Sequence, residues 1–340
     1  MKTIRWGMIG CGEVAEQKSG PALYRAANSQ LVAVADRNRD RAEGFARRHG
    51  VGRWHDDAEA IFRAPDVDIV YAATMTESHK DLVLRAAAAG KAVLTEKPMA
   101  MTHADCLAMI DACRQAKVPL WVAYYRRALP RFLKVRELIE SGAIGEPRMV
   151  VIRHFQRIPT PEQMKGPFWG WRLDPKRSGG GIFFEAVGHT LDILDYILGP
   201  IASARSFADN QAGAYAPEDI VTGSFRFASG VHGSGAWCFS ADCDDEGNEI
   251  VGSRGRITFS TFPPLAPPSG RPPVPIRLIR GDAVEEFPVA DPPYTHQPLV
   301  QTIVDEMNGQ GQCPSNGETA ARTTRVIEDC LAEFTARRAS

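Results

Sequence analysis

Short apolar runs alternate with longer amphipathic stretches through the first third of the chain. Residues 4–9 (IRWGMI), 31–35 (LVAVA), 67–73 (VDIVYAA), 91–95 (KAVLT) and 118–123 (VPLWVA) read as buried strands. Residues 41–49, 79–89 and 103–116 read as the helices between them. Gly90 is placed as the glycine that ends the second of these helices. Thr102 caps the third, with Asp105 as the reciprocal partner of a capping box. Repeated strand–helix units predict a mostly parallel sheet with helices on both faces. Ligands of such sheets sit at the carboxyl ends of the strands. Gly10, Asp36, Thr74 and Glu96 all fall on that edge.

The pattern changes after residue 123. Residues 127–140 read as a helix with Pro130 in its first turn, and a strand pattern begins within 146–153. Ile182, Phe183, Val187, Leu191, Leu194 and Leu198 follow a helical period, preceded by the flexible turn Ser178-Gly179-Gly180-Gly181. Residues 201–207, 220–228, 231–239 and 256–260 read as strands of a largely antiparallel sheet. Residues 261–275 are dense in proline and read as a loop or edge excursion. Helices at about 297–308 and 318–336 close the chain. The expected fold is an α/β Rossmann domain followed by an α+β domain with an open, mostly antiparallel sheet. The domains are placed at 1–123 and 124–340, with the closing helix a candidate to pack back on the first. An open sheet leaves an apolar face to cover, so a closed homo-oligomer is expected.

Bulk properties narrow the class. The chain has 340 residues, a formal net charge of -1 and an apolar fraction of 44%. Neither a basic nor an acidic tract is present, so no nucleic-acid partner is expected. The seven cysteines are scattered without a CxxC pair, which argues against a disulfide framework and a structural zinc site. No metal is expected. The amino terminus runs straight into a strand and no window is long and apolar enough to span a bilayer. A cytoplasmic protein with no membrane partner is the simple expectation.

The chemistry concentrates in a few residues. Gly10-Cys11-Gly12-Glu13-Val14-Ala15 is GxGxxA between a strand and a helix. Gly10 permits the tight turn, Gly12 leaves room for a pyrophosphate, and Ala15 allows close helix–sheet packing. The helix amino terminus offers free amide donors to an anion. Asp36, at the end of the second strand, suits the adenosine ribose 2′-hydroxyl and repels a 2′-phosphate. NAD is therefore favoured over NADP, with Arg37, Arg39 and Arg41 as the residues that would argue the other way. Glu185, His189 and Asp192 are spaced i, i+4, i+7, roughly one helix face. A carboxylate beside a histidine makes a general base for an alcohol, or else a structural network. Lys97, in Thr95-Glu96-Lys97-Pro98-Met99, follows a strand on the ligand edge, ahead of a proline whose preceding peptide bond could be cis. It could hydrogen-bond a substrate hydroxyl, or be a surface lysine. Trp169, Trp171 and Arg172, with Tyr124, Arg126 and Arg127, offer aromatic faces to the apolar side of a ligand and cationic donors to hydroxyls or a carboxylate, or else the tryptophans fill core.

Together, Gly10-Cys11-Gly12, Asp36, Glu96-Lys97-Pro98, Arg127-Ala128-Leu129-Pro130 and Gly179-Gly180-Gly181 before Glu185, His189 and Asp192 resemble the glucose–fructose oxidoreductase / inositol dehydrogenase / MocA family. The resemblance runs from residue 3 to about 335. It implies an NAD(P)-dependent dehydrogenase or reductase acting on a hydroxyl carbon of a sugar, anhydrosugar or cyclic polyol. Lys97 matches the family's catalytic lysine and His189 its acid–base histidine, with Glu185 orienting that ring. The cofactor set it implies is Gly10, Cys11, Gly12, Glu13, Val14, Asp36, Arg37, Thr74, His79, Glu96 and Lys97. The substrate set is Lys97, Tyr124, Arg127, Trp169, Trp171, Arg172, Glu185 and His189. Three departures stand out. Glu185 replaces the usual aspartate, Val187 replaces a common glycine, and the Thr74–His79 loop lacks the usual Thr-Pro or Thr-Asn. The alternatives are an NAD-dependent glycosidase with transient sugar oxidation, a dehydrogenase of a non-sugar cyclic diol, and a catalytically silent NAD-binding sensor.

Overall fold

The computed structural model describes residues 1–262 and 274–339 and divides the chain into two units. The first is Met1–Leu129 with Pro292–Ala321, and the second is Pro130–Asp291 with Arg322–Ser340. The expected boundary at residue 123 thus moves to Leu129, and the segment Pro292–Ala321 leaves the second domain for the first.

The first unit runs β1 (Ile4–Ile9), α1 (Gly20–Arg25), β2 (Ser29–Ala35), α2 (Arg39–His49), β3 (Trp54–His55), α3 (Glu59–Arg63), β4 (Ile69–Ala72), α4 (His79–Ala88), β5 (Ala92–Thr95), α5 (His103–Ala116) and β6 (Leu120–Val122). The strands form one parallel sheet in the order β3-β2-β1-β4-β5-β6. Alternation along the strands splits the interior into two cores. Trp6, Met8, Ile69, Tyr71 and Leu94 face Leu23, Phe45 and, from the returning segment, Leu299 and Ile303. Ile9, Val70, Ala72 and Val93 face Phe62, Val83, Met109 and Ile110. Both faces are therefore covered, as a parallel sheet requires.

Local chemistry sets the helix ends. Thr102 accepts the Asp105 amide as expected, and the Asp105 carboxylate also accepts from Lys80 at 2.6 Å. Gly90 takes a left-handed φ of 69°, ending α4 as anticipated. The expected helix 127–140 is broken: a 3₁₀ turn covers Tyr125–Ala128, Leu129 is extended, and α6 begins at Pro130 (Pro130–Glu140). Proline crowds the residue before it out of helical geometry.

The second unit continues with β7 (Pro147–Arg157), α7 (Pro161–Lys165), α8 (Pro175–Ser178), α9 (Gly188–Leu198), β8 (Ile201–Asp209), β9 (Ile220–Phe227), β10 (His232–Ala241), β11 (Asp245–Gly252), β12 (Arg256–Phe259), β13 (Ile276–Arg280) and β14 (Ala283–Phe287). They form an eight-stranded sheet, β14-β13-β12-β11-β7-β10-β9-β8, antiparallel except at β7–β10. Buried Val150, Ile152, Val221, Trp237, Phe239 and Ile250 fill the inner side. The proline-dense stretch 261–275 lies largely outside the described residues. Helices α10 (Gln297–Met307) and α11 (Gly317–Ala339) close the chain. Among the described residues no helix is long and apolar enough to cross a membrane.

Candidate active site

Strand register brings the expected cofactor residues to one edge. Ile9 pairs with Ala35 and with Ala72, and Ala72 pairs with Thr95. The next residues, Gly10, Asp36, Ala73 and Glu96, therefore stand in a row at the carboxyl ends of adjacent strands. Gly10 has φ +99°, and a Cβ there would lie 2.4 Å from the Ala73 carbonyl oxygen, so the position admits only glycine. A Cβ on Gly12 would meet no protein atom within 4 Å. Packing by other parts of the chain does not require that glycine, and the turn has room for a ligand to cross it. Ala15 is buried at the start of a single π turn, Ala15–Ser19, that leads into α1. Glu13 and Val14 lie between, at the amide-donating end of this helical segment.

Asp36 is tied into the same turn. Its Oδ2 accepts the Cys11 amide at 2.9 Å and its Oδ1 the Asn38 amide at 2.8 Å. Arg41 stands 3.7 Å away, Arg39 lies over the Trp54 ring at 5.2 Å, and Arg37 is exposed. The Cys11 thiol is pushed up to about 12 by burial and by Asp36, so it stays protonated and takes no ionic role.

Thr74 receives the Ser78 hydroxyl at 2.8 Å. His79, expected at the cofactor, is 1% exposed and bridges two loops. Its Nδ1 lies 2.9 Å from the Pro98 carbonyl oxygen and its Nε2 3.1 Å from that of Thr74. Burial holds its pKa below the usual histidine range, and a neutral imidazole carries one N–H, so the ring donates to one of these carbonyls and only packs against the other. The Lys97–Pro98 peptide bond is cis. Glu96 is buried, its Oε2 accepts the Lys97 amide at 3.1 Å, and Lys97 itself is half-buried. Tyr124 is buried, and Arg127, 2% exposed, donates to the Pro314 carbonyl at 3.0 Å, a structural tie within the first unit.

The second unit builds a separate cluster. Gly179 ends α8 with φ +91°, and Ser178 Oγ donates to the Gly180 carbonyl at 2.7 Å. A Cβ on Gly180 would lie 2.6 Å from Phe184 Cβ, and one on Gly181 2.5 Å from Pro217 Cβ. The glycines let the chain turn tightly into a π turn, Phe183–Val187, that runs on into α9. The helix is thus wider at its start than the i, i+4 spacing assumes. Glu185 and His189 are both 6% exposed. Glu185 Oε2 stands 3.6 Å from Arg172 Nε. That guanidinium lies over Phe168 and Trp171 at 4.1 and 4.4 Å, and Trp169 packs edge-on against Phe168 at 5.0 Å. Asp192 is buried, and its Oδ1 accepts the Thr323 hydroxyl at 3.3 Å.

Residues absent from the sequence-based set complete this cluster. Phe262 sets its ring edge-on to His189 at 5.9 Å and tilted against His154 at 5.2 Å. Glu246 fixes the Phe262 turn by accepting the Ser260 hydroxyl at 2.5 Å and the Thr261 and Phe262 amides at 3.0 and 3.3 Å. His154 follows Val150 and Ile152 on the buried face of β7, and burial lowers its pKa. A histidine that continues an apolar alternation is the signal that could have found it. Glu218, buried with its Oε1 lacking a hydrogen-bond partner among the described residues, is pushed up to about 7 by burial.

Comparison with known proteins places the chain among oxidoreductases. Residues 4–124 match the profile described as an oxidoreductase family with an NAD-binding Rossmann fold, and residues 132–258 match the GFO/IDH/MocA C-terminal domain. Oxidoreductase P35 of Formosa agariphila is 35% identical over 96% of this chain and 97% of its own. The 1,5-anhydro-D-fructose reductase of Ensifer adhaerens is 29% identical over 92% of this chain and 91% of its own. A levoglucosan dehydrogenase solved with NADH and levoglucosan shares the fold, with a TM-score of 0.82 at 21% identity, covering 98% and 97% of the two chains.

Proposed function

The chain belongs to the glucose–fructose oxidoreductase / inositol dehydrogenase / MocA family of oxidoreductases, and from that premise we propose that it is an NAD-dependent dehydrogenase or reductase of a sugar, anhydrosugar or cyclic polyol. The observation that carries the reading is the row of Gly10, Asp36 and Glu96-Lys97 along one sheet edge, with a glycine at position 12 that no protein neighbour requires. The Gly10–Val14 turn and Asp36 would hold the dinucleotide. Asp36 favours a ribose hydroxyl there over a phosphate. When bound, the nicotinamide supplies the hydride acceptor or donor. Lys97 stabilises the charge that develops on the substrate oxygen. His189 takes the hydroxyl proton in oxidation and returns it in reduction. Glu185, ion-paired to Arg172, keeps negative charge beside that chemistry. The Arg172, Trp169 and Trp171 cluster offers faces and donors suited to a hydroxylated ring.

The test is a screen of the purified protein with NAD⁺ against cyclic polyols, aldoses and anhydrosugars, following absorbance of reduced cofactor. Reduction of NAD⁺ by one of them, abolished in Lys97→Ala and His189→Ala, is expected. Glycoside cleavage without net NADH would replace the redox reading by the glycosidase one.

A further inference from the structure

Glu96 is held by groups that no local sequence feature brings to it. Tyr71 Oη donates to Glu96 Oε1 at 2.5 Å, and His296 Nε2 lies 3.2 Å from the same oxygen, across 200 residues of chain. The other oxygen accepts the Lys97 amide. Burial works against ionisation here, but the hydrogen bond and charge of His296 and the hydrogen bond from Tyr71 outweigh it and draw the Glu96 pKa down to about 2. An ionised carboxylate only accepts, so His296 must donate through Nε2. Its Nδ1 has no hydrogen-bond partner among the described residues. The imidazole is 3% exposed and stacks on Tyr125 at 4.2 Å with a 28° interplanar angle, while Arg126 covers the Tyr125 ring at 5.0 Å. The ring is therefore held in orientation by stacking as well as by Glu96. His296 sits immediately before α10, whose Leu299, Val300 and Ile303 are locked into the core against β1 and β4.

We propose that His296 is a positioning residue for Lys97. It fixes the Glu96 carboxylate, which fixes the Lys97 amide and so the direction from which the Lys97 ammonium meets a substrate oxygen. The proposal rests on the reading of Lys97 as a catalytic group. It assigns a purpose to a buried histidine outside the expected set of site residues. His296 is the second partner on Oε1, so without it that oxygen keeps only the Tyr71 hydroxyl and the carboxylate loses its tie to the start of α10. An angular error at the base of a long side chain is amplified at its tip, and small misplacements of a reacting group cost large factors in rate.

Two substitutions separate positioning from packing. His296→Phe keeps a ring to stack on Tyr125 but has no donor. His296→Gln keeps an amide donor near the place of Nε2 but has no ring. Hydrogen–deuterium exchange of the ligand-free protein, read on the peptide spanning residues 95–101, needs no substrate. The Lys97 amide is expected to exchange at least tenfold faster in His296→Phe than in the parent chain, and within threefold of the parent in His296→Gln. With the substrate found in the screen, kcat is expected to fall about tenfold or more in His296→Phe with KM for NAD⁺ within twofold, and to be largely restored in His296→Gln. Parent-like exchange in His296→Phe, or equal losses of kcat in both variants, overturns the proposal. Lys97→Ala is measured alongside. If it loses turnover while His296→Phe keeps it, only the His296 assignment falls. If Lys97→Ala keeps full turnover, the reading of Lys97 itself is wrong.

Discussion

The Asp36 carboxylate accepts the Cys11 amide at 2.9 Å, so the acid expected to select the cofactor also shapes the turn expected to bind it. Selection and turn geometry are coupled in one side chain. Asp36→Asn keeps an oxygen for the Cys11 amide but removes the charge that repels a 2′-phosphate. Asp36→Ala removes both. Asp36→Asn is therefore expected to raise NADP affinity relative to NAD by about tenfold, roughly 1.4 kcal/mol. Asp36→Ala is expected to weaken both cofactors as well as narrow the gap. Arg41, 3.7 Å from Asp36, would then be the cation nearest to an incoming phosphate. Calorimetric titration of NAD and NADP into the three proteins decides it. Equal binding of the two by the parent chain sinks the NAD assignment.

Lys97→Ala and His189→Ala are each expected to lower kcat by about 10²-fold or more, the usual worth of a positioned acid–base group. NAD should still bind, because the Gly10–Val14 turn and Asp36 are untouched. Steady-state kinetics beside NAD titration of both variants gives the answer, and turnover near the parent rate in either one removes that residue from the mechanism.

Glu185→Gln tests a finer point. The Glu185 carboxylate stands 3.6 Å from Arg172, long for a hydrogen bond and ordinary for an ion pair. If its contribution is orientation and field, the amide should cost less than His189→Ala, on the order of tenfold in kcat. A loss as large as that of His189→Ala, with KM for the polyol raised as well, would show that Glu185 also holds the substrate.

Much of the first unit was legible because its signals are local. A strand, a GxGxxA turn and an acid at the next strand end are fixed by neighbours in sequence, and the register of β1, β2, β4 and β5 places them as expected. The second unit was less legible. β11 (DEGNEIVG) carries acids and glycines and gives little strand signal, yet it pairs with β7 on one side and β12 on the other. Tertiary pairing overrides a weak local preference. The partners of candidate side chains were hidden for the same reason. Nothing near Glu96 in sequence announces His296, and nothing near His189 announces Phe262. The i, i+4, i+7 spacing did place Glu185, His189 and Asp192 on one helical stretch, but it could not foresee that Thr323 engages Asp192.

The outer face of the second unit's sheet predicts assembly. Val151 pairs with Ser234, which pairs with Ser224, which pairs with Arg205, and Phe207 lies two residues on from Arg205. Cross-strand partners share a face, so Val151 and Phe207 lie on one side together with Met149. Phe207 is 77% exposed, Met149 40% and Val151 38%. Exposed apolar side chains on one sheet face favour burial against a second copy. A dimer or tetramer is expected by light scattering at micromolar concentration. Val151→Glu with Phe207→Glu should reduce the mass to that of one chain. A monomeric mass for the parent protein counts against the idea.

Glu218 gives the protein a stability that depends on pH near neutrality. The side chain is 2% exposed, and burial is the main cause that lifts its pKa from 4.5 to about 7. Hydrogen bonds from its own amide and that of Gly181, together with the charge of Arg338, oppose the rise, while Asp219 adds to it. The folded state thus holds this proton more tightly than the unfolded chain does. Stability from the protonated form is fully present below about pH 4.5 and is lost as pH rises to about 7, beyond which no further loss occurs. The loss amounts to roughly 2–3 kcal/mol between pH 5 and 8 at 1.36 kcal/mol per pKa unit. Glu218→Gln keeps the shape and cannot ionise. Its melting temperature should stand above that of the parent at pH 8 by about 5 °C, at roughly 2–4 °C per kcal/mol for a domain of this size. At pH 5 the gap should shrink by more than half. Thermal denaturation of both proteins across this range, followed by circular dichroism, is the measurement. A gap that does not change with pH would falsify the assignment of this proton to Glu218.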